Sequence, residues 1–236
     1  VDLFTDKEIR LGDEPYLLGL VLDHEGQEIR WEWRAERFAD WLLAGRLEQR
    51  QSARPEKTGI VRYVRMNMVP GRLARQAEKY LPLARRHAAA YNLDTGLVLS
   101  IMRVESDFNP FAVSHAGAFG LMQVVPGSAG RDVYQFLNNT PGFPSADELL
   151  DPDTNILYGS AYLHLLQTRL VAPVSDPISR EYCAVAAYNG GPGSVLRTFA
   201  PNKAQALERI NGMPPDAIYD TLTTRHPADE TRRYLW

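Results

Sequence analysis

A single cysteine, Cys183, stands among 236 residues. That excludes an intramolecular disulfide, a cysteine zinc cluster and a dithiol redox pair, and leaves the compartment unread. No apolar run reaches about 18 residues, the length that a membrane-crossing helix needs. The opening VDLFTDKEIR has neither the basic nor the apolar region of a signal peptide. The chain therefore reads as soluble as given. Beginning without methionine and stopping on Trp236 inside a helical pattern, it reads as a trimmed fragment whose targeting segment lies outside it. The histidines His24, His87, His115, His164 and His226 form no i, i+4 pair and have no carboxylate at triad spacing, so no metal site is expected. A net charge of −3 offers no electrostatic case for a nucleic-acid partner. Basic residues gathered in 62–86 and at Arg225, Arg232 and Arg233 read as solvated helix faces. The glycines of GGPGSV follow a helix and lack the lysine of a phosphate-binding loop, which makes that stretch a turn.

What remains divides in two. YLLGLVLDHEGQEIRWEW alternates as two strands around a turn at His24–Gln27, with Ile29, Trp31 and Trp33 on one face. A helix from Arg34 to Ala44 follows, then a polar stretch broken by Pro55 and Gly59. GIVRYVRMNMV reads as a strand with Ile60, Arg62, Val64, Met66 and Met68 on one side. Residues 1–70 thus read as a small α+β domain. From Arg72 the spacing turns helical, over 72–91, 94–106, about 116–124, 126–137, 153–169, 178–189 and 192–199. The fold class expected is mainly α, with a helical domain over 71–236.

One residue breaks the helical pattern chemically. Leu97, Val98, Leu99, Ile101, Met102 and Val104 make an apolar run that Asp94 can cap and Pro110 must stop. Glu105 closes it. Its i−3, i−4 and i−7 neighbours are Met102, Ile101 and Val98, so the carboxylate lies on the apolar stripe while Arg103 points away. A glutamate at a helix end is ordinarily surface. Here it is followed by Phe108, Pro110, Phe111 and Val113 and by the small residues Ala116, Gly117, Ala118 and Gly120, a setting suited to the wall of a cleft.

Four spaced motifs stand together: ESDFNP from Glu105, GLMQ from Gly120, AYNGG from Ala187 and ETRRY from Glu230. In this order on a helical domain, over about Leu83 to Trp236, they resemble the lytic transglycosylases, which cleave bacterial peptidoglycan and have a lysozyme-like fold. The resemblance implies a lysozyme-like catalytic domain whose substrate and partner is the glycan strand. The β-1,4 bond between N-acetylmuramic acid and N-acetylglucosamine would be cut without water, leaving a 1,6-anhydro end. It implies a monomer with no cofactor. It also implies a periplasmic location, with the full-length protein a lipoprotein tethered to the outer membrane through a segment outside this chain.

The chemistry needs an acid still protonated near neutral pH, and a glutamate desolvated among Met102 and Ile101 has its pKa raised. Glu105 is that acid. Most glycosidases carry a second carboxylate about 5 to 9.5 Å away, and Asp107, two residues on, faces another side of the helix. The resemblance supplies the alternative: the substrate's N-acetyl group is the internal nucleophile, and the same glutamate then takes the 6-hydroxyl proton. Ser114 matches a serine near the N-acetyl region, and as a bare residue reads equally as a turn or cap serine. Gly120, Leu121, Met122 and Gln123 would line the cleft, although Met122 alone could be core. Tyr188, Asn189 and Tyr234 would meet the acid or the sugar, with Glu230 as a buried partner holding helices in register. A goose-type lysozyme, which positions a water, shares the acid and fold and would be favoured by a second well-placed acid. The intact Glu105 with all four motifs argues against an idle glycan-binding module.

Overall fold

The computed structural model describes residues 18–51 and 59–235, so Tyr16 and Leu17, the first residues of the expected hairpin, and Pro55 lie outside them. Mainly helical, the chain divides into two compact units, Val1–Arg75 and Gln76–Trp236.

In the first unit the expected hairpin shrinks to one bridge, Leu22 to Glu28. The buried Asp23 carboxylate explains this. It accepts the backbone N–H groups of Glu25 and Gln27, both at 2.9 Å, and the Arg34 guanidinium at 2.5 Å. These bonds close a tight polar turn and leave no ladder to extend. Helix α1 (Glu32–Gly45) starts two residues earlier than expected and buries Ala35, Phe38 and Leu42. Trp31 and Trp33 are exposed and share no buried face with Ile29. The polar stretch after α1 contributes strand β1 (Glu48–Gln51), antiparallel to β2 (Ile60–Tyr63), with Glu48 opposite Tyr63. β2 is shorter than the alternation suggested, because Val64 and Met66 leave the ribbon to pack on Val21, Ile29, Ala35, Phe38 and Leu42.

Helix α2 (Arg72–Ala90) begins in the last residues of the first unit and continues into the second, where α3 (Thr95–Ser106) follows. Asp94 caps α3 as expected, accepting the Leu97 N–H at 2.9 Å. Its other end comes before Pro110. Asp107 and Phe108 turn left-handed, at φ 53° and 60°, and the Phe108 N–H returns to the Met102 carbonyl at 3.3 Å. This is the helix-reversing pattern that usually takes glycine, and here burial of the Phe108 ring accompanies it.

Residues 116–124, expected as helix, form a compact loop in which Phe119 bridges both Val113 and Val124. Gly117, Gly120 and Gln123 all have positive φ, which no continuous helix allows. A wide π turn (Pro126–Gly130) leads into α4 (Arg131–Asn138). The short α5 (Ala146–Leu150) follows, with a Ser145/Glu148 capping box. Helix α6 (Pro152–Leu165), buried over most of its length, then ends in a second π turn. Helix α7 (Pro177–Gly190) buries Cys183, Ala184, Ala186 and Ala187, and α8 (Pro192–Phe199) stops at the Pro201 segment. Three further helices complete the unit: α9 (Lys203–Asn211), α10 (Pro215–Arg225) and α11 (Asp229–Tyr234).

Candidate active site

Glu105 sits in the last turn of α3, half-buried. The stripe beneath it, Val98, Ile101 and Met102, is completely or almost completely buried. Its Oε1 accepts the Tyr234 hydroxyl at 2.7 Å, across 129 residues of chain. Burial pushes the carboxyl up to about 7, and the charge of Glu230 adds to the rise, while the Tyr234 bond works against it. A carboxyl with that midpoint is divided between acid and base forms at neutral pH. Asp107 is engaged by Arg103 in an i, i+4 ion pair.

Tyr188, near the end of α7, donates to the Met122 carbonyl at 2.8 Å and meets the Tyr162 ring edge-on at 5.6 Å. Burial, with the Glu105 and Tyr162 charges, drives the Tyr188 phenol far above its ordinary range, as burial and Glu105 do for Tyr234. Both hydroxyls therefore keep their protons and serve as donors. The next residue, Asn189, accepts the Thr231 hydroxyl at 2.7 Å and points its amide nitrogen at Glu230 at 3.4 Å. It fastens α7 to α11. Glu230 itself is exposed, contrary to the buried partner expected, because it lies in the first turn of a short helix.

The GLMQ loop is built mostly for itself. Gly120 is buried with φ +76°, and a Cβ there would stand 2.3 Å from the Asn155 amide nitrogen and 2.5 Å from the Leu149 carbonyl. The close approach that demands glycine is thus to α5 and α6. Leu121 and Met122 side chains are fully buried, and Met122 packs on Gly159, where a Cβ would lie 2.4 Å from its sulfur. Gln123 spends its amide nitrogen on the Ala112 and Gly120 carbonyls, at 3.1 and 2.9 Å. Ser114 closes the preceding turn, its hydroxyl accepting the Ala118 N–H at 3.0 Å.

Sequence reasoning missed Asn155. It is fully buried on α6 and joins three backbone groups of the loop and α5: Met122 N–H at 2.7 Å, Phe119 carbonyl at 2.8 Å and Leu149 carbonyl at 2.7 Å. A lone amide at the head of the apolar run ILYGSAYL was the available signal, of the same kind as Glu105. Ser106 was missed as well, its hydroxyl lying within reach of the Met102 and Leu121 carbonyls at 3.1 and 2.8 Å. The structure therefore brings Glu105, Tyr188, Tyr234, Asn189 and Glu230 together with the backbone of Met122, and sets Gly120, Leu121, Gln123 and Ser114 as the loop's frame. Among the described residues, no group of three His, Cys, Asp or Glu side chains is placed to hold a metal ion, and no helix is long and apolar enough to cross a membrane.

Residues 82–211 match the Transglycosylase SLT domain family, and residues 1–79 match the N-terminal domain of membrane-bound lytic murein transglycosylase C. Across its whole length the chain is 48% identical to the membrane-bound lytic murein transglycosylase C of Photorhabdus laumondii, covering 65% of that protein. It is 48% identical to the Klebsiella pneumoniae protein of the same name, covering 64% of it. The chain thus spans slightly less than two thirds of these relatives. Among solved structures it is similar to the 70 kDa soluble lytic transglycosylase of Escherichia coli, at 32% identity over 66% of this chain and 22% of that one, with a TM-score of 0.49.

Proposed function

Because the chain belongs to the transglycosylase SLT family, we propose that it is a peptidoglycan lytic transglycosylase in which Glu105 acts first as acid and then as base. The observation that carries this reading is a half-buried glutamate whose carboxyl is pushed up to about 7 and is held by the Tyr234 hydroxyl at 2.7 Å. Such a group donates a proton to the leaving N-acetylglucosamine oxygen while the neighbouring N-acetyl group attacks the muramic anomeric carbon. The resulting carboxylate then takes the 6-hydroxyl proton, and that oxygen closes on the same carbon to give the 1,6-anhydro end. The ring-held 6-hydroxyl outcompetes water through its high effective concentration.

Tyr234 keeps the carboxyl aimed through both proton states, since it remains a donor. Tyr188 and the GLMQ loop supply the rigid floor, the Ser114 hydroxyl proton and the Gln123 side-chain oxygen meet the sugars, and Asn189 holds α11 against α7. Residues 1–70 form a separate domain from the catalytic 71–236. The full-length protein acts in the periplasm as a monomer, tethered to the outer membrane by a segment outside this chain.

Incubation with purified peptidoglycan and mass analysis of the soluble products tests the reading. Anhydro muropeptides, lighter by one water than hydrolytic products and resistant to borohydride, are expected. Reducible muramic ends would make the protein a hydrolase, with Glu230 the first candidate for its base. No soluble products would overturn both.

A further inference from the structure

His226 has no part in the chemistry proposed above, yet it is completely buried, at the corner between α10 and α11. Pro227 follows it and keeps its backbone extended, at ψ 135°. The ring sits between two partners. Nδ1 lies 3.2 Å from the Ala228 N–H and Nε2 lies 3.0 Å from the Ser194 hydroxyl of α8. Ala228 is the N-cap of α11 and has no side-chain cap of its own. With the Ala228 N–H the nearer group, Nδ1 is the acceptor and the ring proton rests on Nε2, directed at Ser194. A charged ring would have to turn an Nδ1 proton toward the Ala228 carbonyl, 3.4 Å away. That carbonyl already accepts the Arg232 N–H that opens the helix. Burial and the nearby Arg232 charge hold the imidazole below its ordinary range, against the pull of the Ala228 carbonyl. The ring is a neutral wedge with both nitrogens in use.

The wedge is locked from outside as well. Arg232 of α11 reaches back to the His226 carbonyl at 2.6 Å. At the end of α7, a Cβ on Gly190 would lie 2.7 Å from the Thr231 hydroxyl and 3.2 Å from the His226 ring. Only a glycine lets the corner and α11 close on α7. Thr231, buried, completes the contact through Asn189 at 2.7 Å. α11 has six residues, too few to hold a position without such anchors, and it ends in Tyr234.

We propose that His226 is a positioning residue for the acid: as a neutral hydrogen-bonded wedge it fixes the start of α11, and through that helix it sets the Tyr234 hydroxyl on Glu105. The proposal rests on Glu105 being the acid. The charged and titratable groups facing Glu105 are Tyr234 and Glu230 from α11 and Tyr188 from α7; those facing His226 are Arg232 and the Ser194 hydroxyl.

The test is the titration of the Glu105 carboxyl, followed by carbon-13 NMR in the whole chain without substrate, so its outcome is separate from that of the product assay. Tyr234→Phe removes a bond that lowers the Glu105 midpoint and should raise it by about one pH unit. His226→Phe should raise it by the same amount, and the double variant should show no further rise, since both act through one hydrogen bond. His226→Asn, whose side-chain oxygen can replace Nδ1 toward Ala228, should hold the midpoint of the parent. An unchanged midpoint in His226→Phe, additive shifts in the double variant, or an Asn variant that behaves like the Phe variant would each overturn the proposal. Should His226→Phe fail to fold, Ser194→Ala removes one of the two ring bonds and must give a smaller shift of the same sign; no shift there refutes the proposal equally.

Discussion

Asn155 of α6 accepts the Met122 backbone N–H at 2.7 Å, and through that one bond the buried centre of the helical unit grips the loop on which Tyr188 rests. The same amide donates to the Phe119 and Leu149 carbonyls. Replacing it with leucine, which keeps the branched shape but is larger and cannot hydrogen bond, strands three backbone groups, two of them buried. A loss of about 3 kcal/mol or more in unfolding free energy is expected, measured by denaturant titration. A loss under about 1 kcal/mol would mean that the loop does not depend on this amide.

Glu105→Gln keeps the size of the side chain and can still meet Tyr234, but has no proton to give. General acid catalysis is worth about 10² to 10⁴ in rate, so muropeptide release should fall by at least about 10² while binding of glycan persists. In the parent, the rate of the first proton transfer should decline as pH rises through about 7, where the carboxyl ionises. A near-parent rate in the variant removes Glu105 from the chemistry.

The same carboxyl carries a stability cost. Its midpoint rises from 4.5 to about 7 on folding, so the fold favours the neutral form. The contribution of this group is therefore full below about pH 4.5, declines between 4.5 and 7, and is flat above, with a total loss of about 3 kcal/mol at most. Glu105→Gln should abolish that decline, leaving the variant more stable than the parent at pH 8 and about equal at pH 4. Parallel curves for the two proteins would contradict the raised midpoint.

Every side chain assigned to the chemistry lies in the helical unit, which has its own buried centre. Removal of residues 1–70 should leave the helical circular dichroism of the remainder intact and muropeptide release within about threefold of the parent. Complete loss of release with unchanged dichroism would show that the first unit completes the binding surface.

Glu105 was legible because helical spacing alone sets a carboxylate on an apolar stripe, and Asp94 and the later Pro and Gly residues bounded most of the helices. Its partner was not legible in that way. Tyr234 lies 129 residues on, and periodicity within one helix says nothing of which other helix faces it; only the ordered motifs pointed there. Residues 116–124 misled because Ala118, Leu121 and Met122 mimic helical spacing while three positive-φ positions forbid it. In the first unit, alternation suggested strands where the Asp23 carboxylate captures the turn. Glu230 read as buried from its motif, although a first-turn position on a six-residue helix keeps it in solvent. Helices α9 and α10 went unread because Pro214 and Pro215 break the segment, although Ala206 and Ile210, and Ile218 and Leu222, carry helical spacing and are buried.

Cys183, the sole thiol, lies fully buried in the middle of α7, and burial pushes it up to about 12. Thiolate is the reactive form, and the folded protein presents almost none of it to a reagent or to an oxidising compartment. Alkylation must wait until α7 parts from its neighbours. Since the last turn of that helix carries Tyr188 and Asn189, the pace of alkylation in native buffer counts how often the floor beneath the acid comes apart, and gives a label-free chain its own opening clock.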